Sequence, residues 1–172
     1  MAQITDPLPA GPTTAAQVAD FEEYIGHPLP ADYRMFLLQH NGGRPTPDAF
    51  LVDTGFGEQE DIVMCLFPLR DRALGHVAVD DLEELRTWPL HCAWDDLQSD
   101  LENLYAEAGI DEAMLPIGTD GCSNYFCIVL NGPRKGSVVF LDHETGETFS
   151  LGGSFTAFIG SLRPREREDY AL

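Results

Sequence analysis

The sequence predicts an α+β fold with a mainly antiparallel sheet flanked by helices. Three observations predict it: two helical stretches near the amino terminus, a run of short apolar strands in the last third, and a helical stretch after them. Helices and strands that are segregated along a chain are typical of this class. We expect one domain over residues 1–172, with its core within about residues 14–162, because a chain of this length can bury a sizeable core.

The first predicted helix begins at a capping box. Thr14 and Gln17 have the spacing of this motif, apolar residues follow at helical spacing, and Gly26 is a typical residue to end the helix. Residues 1–13 are rich in proline and glycine, which predicts an irregular lead-in.

The stretch "LPADYRMFLLQHNGGRP" predicts a second helix with a defined start and end. Pro30 suits the first helical position, where a missing N–H costs nothing. An apolar stripe with helical spacing follows it: Tyr33, Phe36, Leu37 and His40. The run Asn41-Gly42-Gly43 is expected to end the helix through positive-φ conformations. At that end, His40 is placed favourably for the helix dipole.

Strands are predicted where short apolar runs lie between turn residues. The candidates are residues 49–53, residues 61–67, "MLPIG", "NYFCIVL", "GSVVFLD" and "ETFSL". Turn signals at residues 118–121, "NGPRKG" and "HETG" separate the last four, which predicts an antiparallel meander. A final helix is expected from Ser154, with Phe155, Phe158, Ile159 and Leu162 on its apolar face. Two further helices are predicted in "DDLEELRTW" and "WDDLQSDLENLYAEAG".

The chain carries no strong catalytic motif. "GFGEQE" lacks the third glycine of a dinucleotide fingerprint and is interpreted as a loop. His143 begins "HETGE", which lacks the second histidine of a zinc protease and indicates a hairpin turn. Asp120, between glycines, is either a metal or acid–base carboxylate or, as we favour, a turn residue that accepts hydrogen bonds from nearby N–H groups. We therefore expect no enzyme activity, no metal and no cofactor.

The chain is strongly acidic, with 29 acidic residues against 10 basic ones and a net charge of −19. This charge disfavours binding to nucleic acid and anionic membranes and favours basic protein partners. The acids are concentrated before the meander: Asp80, Asp81, Glu83, Glu84, Asp95, Asp96, Asp100, Glu102, Glu107, Asp111 and Glu112. They form either a solubilising surface or a docking site for a cationic partner. For a docking site, the expected contacts are Asp80, Asp81, Glu83, Glu84, Asp95, Asp96 and Asp100, with Trp88 and Trp94 as aromatic anchors.

The four cysteines, Cys65, Cys92, Cys122 and Cys127, form no CxxC pair. In a reducing compartment they are most simply buried small hydrophobes, although their even number permits disulfides. We see no signal-peptide pattern and no apolar run long enough for a membrane span, so the expected location is the cytoplasm.

Several of these motifs together resemble the SMI1/KNR4 family, also called the SUKH superfamily. The resemblance rests on "IGHPLPADYRMFLLQHNGGRP", on "LPIGTDGCSNYFCIVLNGPRKGSVVFLDHE" and on the phenylalanine-rich last helix. The matching positions include Leu29, Pro30, Tyr33, Asn41, Gly42, Gly43, Gly118, Asp120 and Gly121. It spans about residues 14 to 162, but residues 53–112 match no fixed family pattern.

The resemblance implies an α+β scaffold without enzyme activity. For many bacterial members it implies an immunity protein that binds a polymorphic toxin, often a nuclease or deaminase, and blocks it. The first hypothesis is therefore a cytoplasmic immunity protein that occludes the surface of a basic toxin. The alternative is a non-catalytic regulatory or scaffold module that binds an endogenous protein.

Overall fold

The computed structural model describes residues 2–5, 13–53, 55, 57–69, 113–120, 122 and 124–165. Its helices are α1 (Ala15–Ile25), α2 (Ala31–Gln39) and α3 (Phe155–Ser161). Its strands are β1 (Gln3–Thr5), β2 (Arg44–Thr46), β3 (Ala49–Asp53), β4 (Glu58–Ile62), β5 (Cys65–Leu66), β6 (Met114–Thr119), β7 (Tyr125–Val129), β8 (Val138–Leu141) and β9 (Thr148–Gly152). The two helices predicted within residues 80–112 lie outside the described residues.

Strands β5 to β9 form an antiparallel sheet in which chain order is also spatial order. The strands β1 and β2 pair with each other, and β3 and β4 form an antiparallel hairpin. Strands β6 and β8 are buried along their whole length, and the larger apolar cluster joins the sheet to all three described helices. The α+β class and the predicted meander are confirmed.

The local signals at the ends of α1 and α3 are confirmed in atomic detail. The Thr14 hydroxyl accepts a hydrogen bond from the Gln17 N–H, and the Gln17 side chain accepts one from the Thr14 N–H, which completes the capping box. Gly26 ends α1 with a left-handed conformation at φ 70°. Ser154 caps α3 by accepting a hydrogen bond from the Ala157 N–H.

The second helix differs slightly from its prediction. Pro30 is the residue that precedes the helix rather than its first residue. His40 follows the helix and is exposed, so it is not part of the buried stripe. The conformations at Asn41, Gly42 and Gly43 have positive φ values of 51°, 89° and 118°, as the sequence predicts.

Three strand predictions need correction. The irregular lead-in contains β1, which is held by pairing with β2. The strand predicted over residues 61–67 is instead divided between β4 and β5. Residues 63–64 connect the β3–β4 hairpin to the five-stranded sheet. Gly118 lies within β6 rather than in a turn, and the turn begins at Asp120.

The buried faces of α2 and α3 meet in an aromatic cluster. Tyr33 stacks on Phe36 with 5.9 Å between ring centroids and meets Phe155 edge-on at 5.0 Å, which joins α2 to α3. Phe158 stacks on Phe126 at 5.4 Å and so joins α3 to the sheet. Burial raises the pKa of Tyr33 far above its ordinary value, and its hydroxyl has no hydrogen-bond partner within the described part of the chain. Tyr33 therefore acts in this core as a packing group.

Gly118 allows a very close approach of β6 to β5. A Cβ atom at this position would lie 2.4 Å from the carbonyl oxygen of Cys65, which is far inside van der Waals contact. Because the obstacle is backbone in a paired strand, it cannot move aside like a side chain. A side chain at residue 118 would therefore displace β5 from β6.

We expect Gly118→Ala to lower the free energy of unfolding by about 1 to 3 kcal/mol, the usual range for overpacking a core. Gly160→Ala is the matched control, because Gly160 lies on the exposed side of α3 and a Cβ added there would have nothing within 4 Å. It should raise stability by about 0.5 to 1 kcal/mol through helix propensity. Urea unfolding measures both, and equal stabilities for the two variants would contradict the close approach.

Candidate functional site

The predicted partner-binding residues all lie within residues 70–112, outside the described residues. They are Asp80, Asp81, Glu83, Glu84, Trp88, Trp94, Asp95, Asp96 and Asp100, and their contacts stay predictions. The structure does describe the chain on both sides of this acidic segment, which here means residues 70–112. The segment follows β5 and precedes β6, and these two strands are antiparallel neighbours. The segment therefore connects two strands that are paired with each other.

The strand β5, which leads into the acidic segment, is held between two glycines. Gly43 and Leu66 exchange two backbone hydrogen bonds, of 3.0 Å and 2.9 Å. On its other side Leu66 pairs with Gly118 of β6, and the next N–H, that of Phe67, donates to the Ile117 carbonyl at 2.8 Å. The short strand is thus fixed by backbone pairing on both edges.

Asn41 fixes the last described residue before the acidic segment. Its side-chain oxygen accepts a hydrogen bond of 2.8 Å from the Leu69 N–H, and its side-chain nitrogen donates one of 3.0 Å to the Leu69 carbonyl. Asn41 is 2% exposed and Leu69 is 4% exposed, so these bonds satisfy both backbone groups of a buried residue. Asparagine tolerates the left-handed conformation required here and also supplies the amide.

The other end of the segment is anchored in a similar way. Leu130 donates its N–H to the carbonyl of Ala113 at 2.7 Å. The side-chain oxygen of Asn131 accepts a hydrogen bond of 3.3 Å from the Ala113 N–H. Asn131 carries no local signal of this role in the sequence, because its partner is distant along the chain.

Asp120 organises the turn between β6 and β7. One carboxylate oxygen accepts hydrogen bonds from the N–H groups of Cys122 and Asn124, at 2.7 Å and 3.2 Å. The other accepts a hydrogen bond of 2.7 Å from the Asn124 side chain. Asp120 is only 3% exposed. The interpretation of Asp120 as a turn residue is confirmed, while Gly121 lies outside the described residues.

Asn124 links this turn to the turn between β8 and β9. Its side-chain oxygen accepts a hydrogen bond of 3.1 Å from the His143 N–H and lies 2.9 Å from the His143 Nδ1. Within the second turn, the backbone N–H groups of Thr145 and Glu144 donate to Asp142, and the first of these bonds contributes most to lowering the pKa of Asp142. His143 and Glu144 are thus parts of a hairpin turn, as predicted.

Ionisable side chains are not arranged here as a metal centre. Over the described ranges, no three His, Cys, Asp or Glu side chains lie close enough together to hold a metal ion. No helix in that part of the chain is long and apolar enough to cross a membrane.

Residues 12–161 match the model of the SMI1 / KNR4 family (SUKH-1). The chain belongs to the SMI1/KNR4 family. The match begins just before α1 and ends with α3, and it contains each of the motif positions described above. A comparison with curated proteins gives no match.

In this SMI1/KNR4 protein, the described motif residues lie where chain segments join. Pro30 precedes α2, and the N–H of Leu29 donates to the Glu22 carboxylate at 2.8 Å, while the same carboxylate binds Arg34 at 2.9 Å. Gly42 and Gly43 provide the exit from α2. These positions support the scaffold.

A shallow apolar groove lies beside the scaffold, between β1, α2 and α3. It has a volume of about 240 Å³ and is lined by side chains that include Ile4, Met35, Phe36, Phe155 and Ile159. Met35 is 51% exposed, which is high for a large apolar side chain. Asp32 lies at the edge of the groove and accepts a hydrogen bond of 2.8 Å from the Thr156 N–H. This hydrogen bond joins α2 to α3.

The cysteines do not all match the expectation of buried thiols. Cys127 is buried, as expected, and is not in a disulfide, whereas Cys122, which is also outside any disulfide, is exposed. Cys65 is buried, but it is disulfide-bonded, so at this residue the alternative that the even number of cysteines permits, a disulfide, is the one that holds. The sequence could not distinguish these cases, because disulfide pairing depends on distances in the fold.

We expect Asn41→Gly to lower the free energy of unfolding by about 2 kcal/mol, because it leaves two buried backbone groups without their partners. Glycine keeps the left-handed conformation, so the change isolates the loss of the amide. Urea unfolding gives the cost, and hydrogen exchange at the Leu69 amide should become faster. Unchanged exchange at Leu69 would show that the amide does not hold the start of the acidic segment.

Cysteine alkylation tests the thiol assignment. In protein trapped with acid and then denatured without reductant, Cys122 and Cys127 should be alkylated and Cys65 should be protected, as read by peptide mass spectrometry. Reduction should expose Cys65 to the reagent and serves as the control. Labelling of Cys65 before reduction would contradict the disulfide.

Proposed function

We propose that this protein is a non-catalytic immunity protein that binds a cognate toxin and blocks it by occluding its surface. Membership of the SMI1/KNR4 family over residues 12–161 carries the proposal, since many bacterial members have this role. The toxin that fits best is a basic, nuclease-like domain. A nuclease must attract a polyanion, and a protein of net charge −19 can compete for the same surface.

The distribution of charge supports this proposal. Three arginines of the scaffold are already paired with acids: Arg34 with Glu22, Arg163 with Glu60 and Arg165 with Asp48. The acids of residues 80–112 are accompanied in the sequence by Arg86 alone. An acidic surface accelerates encounter with a cationic partner and opposes encounter with nucleic acid.

The anchoring of the acidic segment supports the same proposal. Its two ends are held by Asn41 and by Asn131, through bonds to Leu69 and Ala113. The scaffold can therefore stay constant while the sequence between the anchors changes with the partner. Binding residues are often carried on such connections, positioned by a rigid framework.

A cytoplasmic location belongs to the proposal as well. The disulfide of Cys65 argues against it, because disulfides persist mainly in oxidising compartments. Alkylation of intact cells before lysis distinguishes the two locations. A reduced Cys65 in cells fits the cytoplasm, and an oxidised Cys65 fits an oxidising compartment.

Affinity capture from the native lysate at low and high salt tests the function. A basic toxin domain retained near one to one, whose toxicity is suppressed by co-expression of this protein, would support immunity. Capture of an endogenous regulatory protein without toxicity would overturn immunity in favour of a scaffold module.

Once the toxin is known, reversal of three acids to lysine should weaken its binding. For Asp95→Lys, Asp96→Lys and Asp100→Lys combined, we expect at least a tenfold loss of affinity at low salt and a smaller dependence of the association rate on salt. Stopped-flow or surface-based kinetics measures both quantities.

A matched triple variant controls for net charge. Asp20, Glu23 and Glu144 are exposed on the scaffold, and their reversal to lysine changes the net charge by the same amount. This control should keep most of the affinity. Equal losses in the two variants would show that total charge matters and that the acidic segment is not the binding surface.

A further inference from the structure

Each end of the acidic segment is anchored by an asparagine that precedes a glycine. The dipeptide Asn41-Gly42 holds Leu69 at the start of the segment, through hydrogen bonds of 2.8 Å and 3.0 Å from the asparagine side chain. The dipeptide Asn131-Gly132 holds Ala113 at the end, through one hydrogen bond of 3.3 Å. The sequence contains no other Asn-Gly dipeptide. Both pairs of this kind therefore serve the same segment.

An asparagine that precedes a glycine is chemically labile. The glycine nitrogen bonds to the asparagine Cγ, and the absence of a Cβ on glycine leaves this approach open. The bond from Cγ to Nδ2 then breaks, and ammonia leaves with the glycine N–H proton. Water from the solvent opens the resulting succinimide ring at either carbonyl and leaves aspartate or isoaspartate. Deamidation thus replaces a neutral amide by a carboxyl group.

The fold holds Asn41 away from this reaction. The side chain must turn towards the nitrogen of Gly42, but its oxygen and its nitrogen are both bonded to the backbone of Leu69. Asn41 is 2% exposed and Gly42 is buried, so the solvent water that the reaction consumes is excluded as well. Leu69 must therefore leave before Asn41 can react.

Asn131 is held much less firmly. Its side-chain oxygen accepts only the longer bond of 3.3 Å from the Ala113 N–H. Within the described part of the chain, its side-chain nitrogen has no hydrogen-bond partner. Asn131 is half-buried and Gly132 is exposed. The Asn131 side chain can therefore turn towards the Gly132 nitrogen without unfolding of its surroundings.

We propose that Asn131 deamidates in the folded protein, whereas Asn41 is a latent deamidation site that reacts only after Leu69 has left it. Departure of Leu69 is a local opening, which proteins undergo without global unfolding. The proposal does not depend on the proposed immunity function, because it concerns only the chemistry of the two anchors.

The two products differ in their effect on the acidic segment. Aspartate at residue 131 can still accept a hydrogen bond from the Ala113 N–H. Aspartate at residue 41 has only acceptors when ionised, so it cannot donate to the Leu69 carbonyl as the amide does. A buried carbonyl then loses its partner. Deamidation of Asn41 would therefore release the start of the segment irreversibly.

Peptide mass spectrometry after incubation in mildly alkaline buffer tests the proposal on the natural protein. In the folded protein, Asn41 should react at least about tenfold more slowly than Asn131, because it requires local opening. In guanidinium chloride the two rates should become equal. Asn124 is the internal reference, because it precedes Tyr125 rather than a glycine, and it should keep its amide.

Three results of this experiment would contradict the proposal. Equal rates at Asn41 and Asn131 in the folded protein would show that Leu69 gives no protection. A difference that persists in guanidinium chloride would show that the fold is not its cause. Reaction of Asn131 no faster than that of Asn124 would show that the folded protein does not deamidate there.

Leu69→Ala tests the role of Leu69 directly. Leu69 is 4% exposed, and the change removes most of its packing while keeping both backbone groups that bind Asn41. Deamidation of Asn41 should become about tenfold faster, because local opening costs less, and that of Asn131 should not change. Leu141→Ala is the matched control, since Leu141 is 2% exposed and lies in the smaller apolar cluster. Equal acceleration in the two variants would show that global unfolding limits the reaction.

Two further variants imitate the aspartate products and test their consequences. Asn41→Asp should unfold at a lower urea concentration than the natural protein. Asn131→Asp adds the same charge and should keep a urea midpoint near the natural one, because its carboxylate still accepts from Ala113. Equal midpoints for the two variants would refute the special role of the Asn41 amide.

Discussion

The fold depends on the close backbone pairing of β5 with two glycines, one on each side of the strand. Leu66 is bonded to Gly43 on one side and paired with Gly118 on the other. Because a Cβ at residue 118 would collide with the Cys65 carbonyl, the strands can meet at this distance only with glycine there. This contact unites the exit from α2, the edge of the meander and the start of the acidic segment. The glycine motifs at residues 43 and 118, which are far apart in the sequence, therefore contact the same short strand.

The elements fixed by local chemistry could be predicted from the sequence. The capping box at Thr14, the cap at Gly26 and the cap at Ser154 depend on residues within one or two turns, so their signals are contiguous. The meander could be predicted for the same reason, because turn residues separate its apolar strands. Prediction was less accurate where tertiary contacts decide the conformation. No local signal shows that β1 pairs with β2 or that residues 61–67 divide between two sheets.

The candidate site could be predicted only in part, for a related physical reason. The acids of residues 80–112 are evident from composition, but their placement is outside the described residues. The residues that anchor this segment are recognisable only through long-range hydrogen bonds, such as those from Asn41 to Leu69. A sequence pattern records the types of such residues but not their partners.

Under the proposed function, the acids of this protein serve two physically different purposes. Asp120, Asp142 and Glu22 accept hydrogen bonds from backbone N–H groups and so replace water inside turns and connections. Such acids stabilise particular backbone conformations, because the N–H groups that they bind also stabilise their negative charge. Acids without such partners act through their field at longer range, on the rate and selectivity of association. A scaffold whose acids bind backbone N–H groups can carry a segment whose acids attract a partner at longer range. Under the proposed function, changes within that segment would alter the partner without disturbing β5, its glycines or the Asn41 bonds.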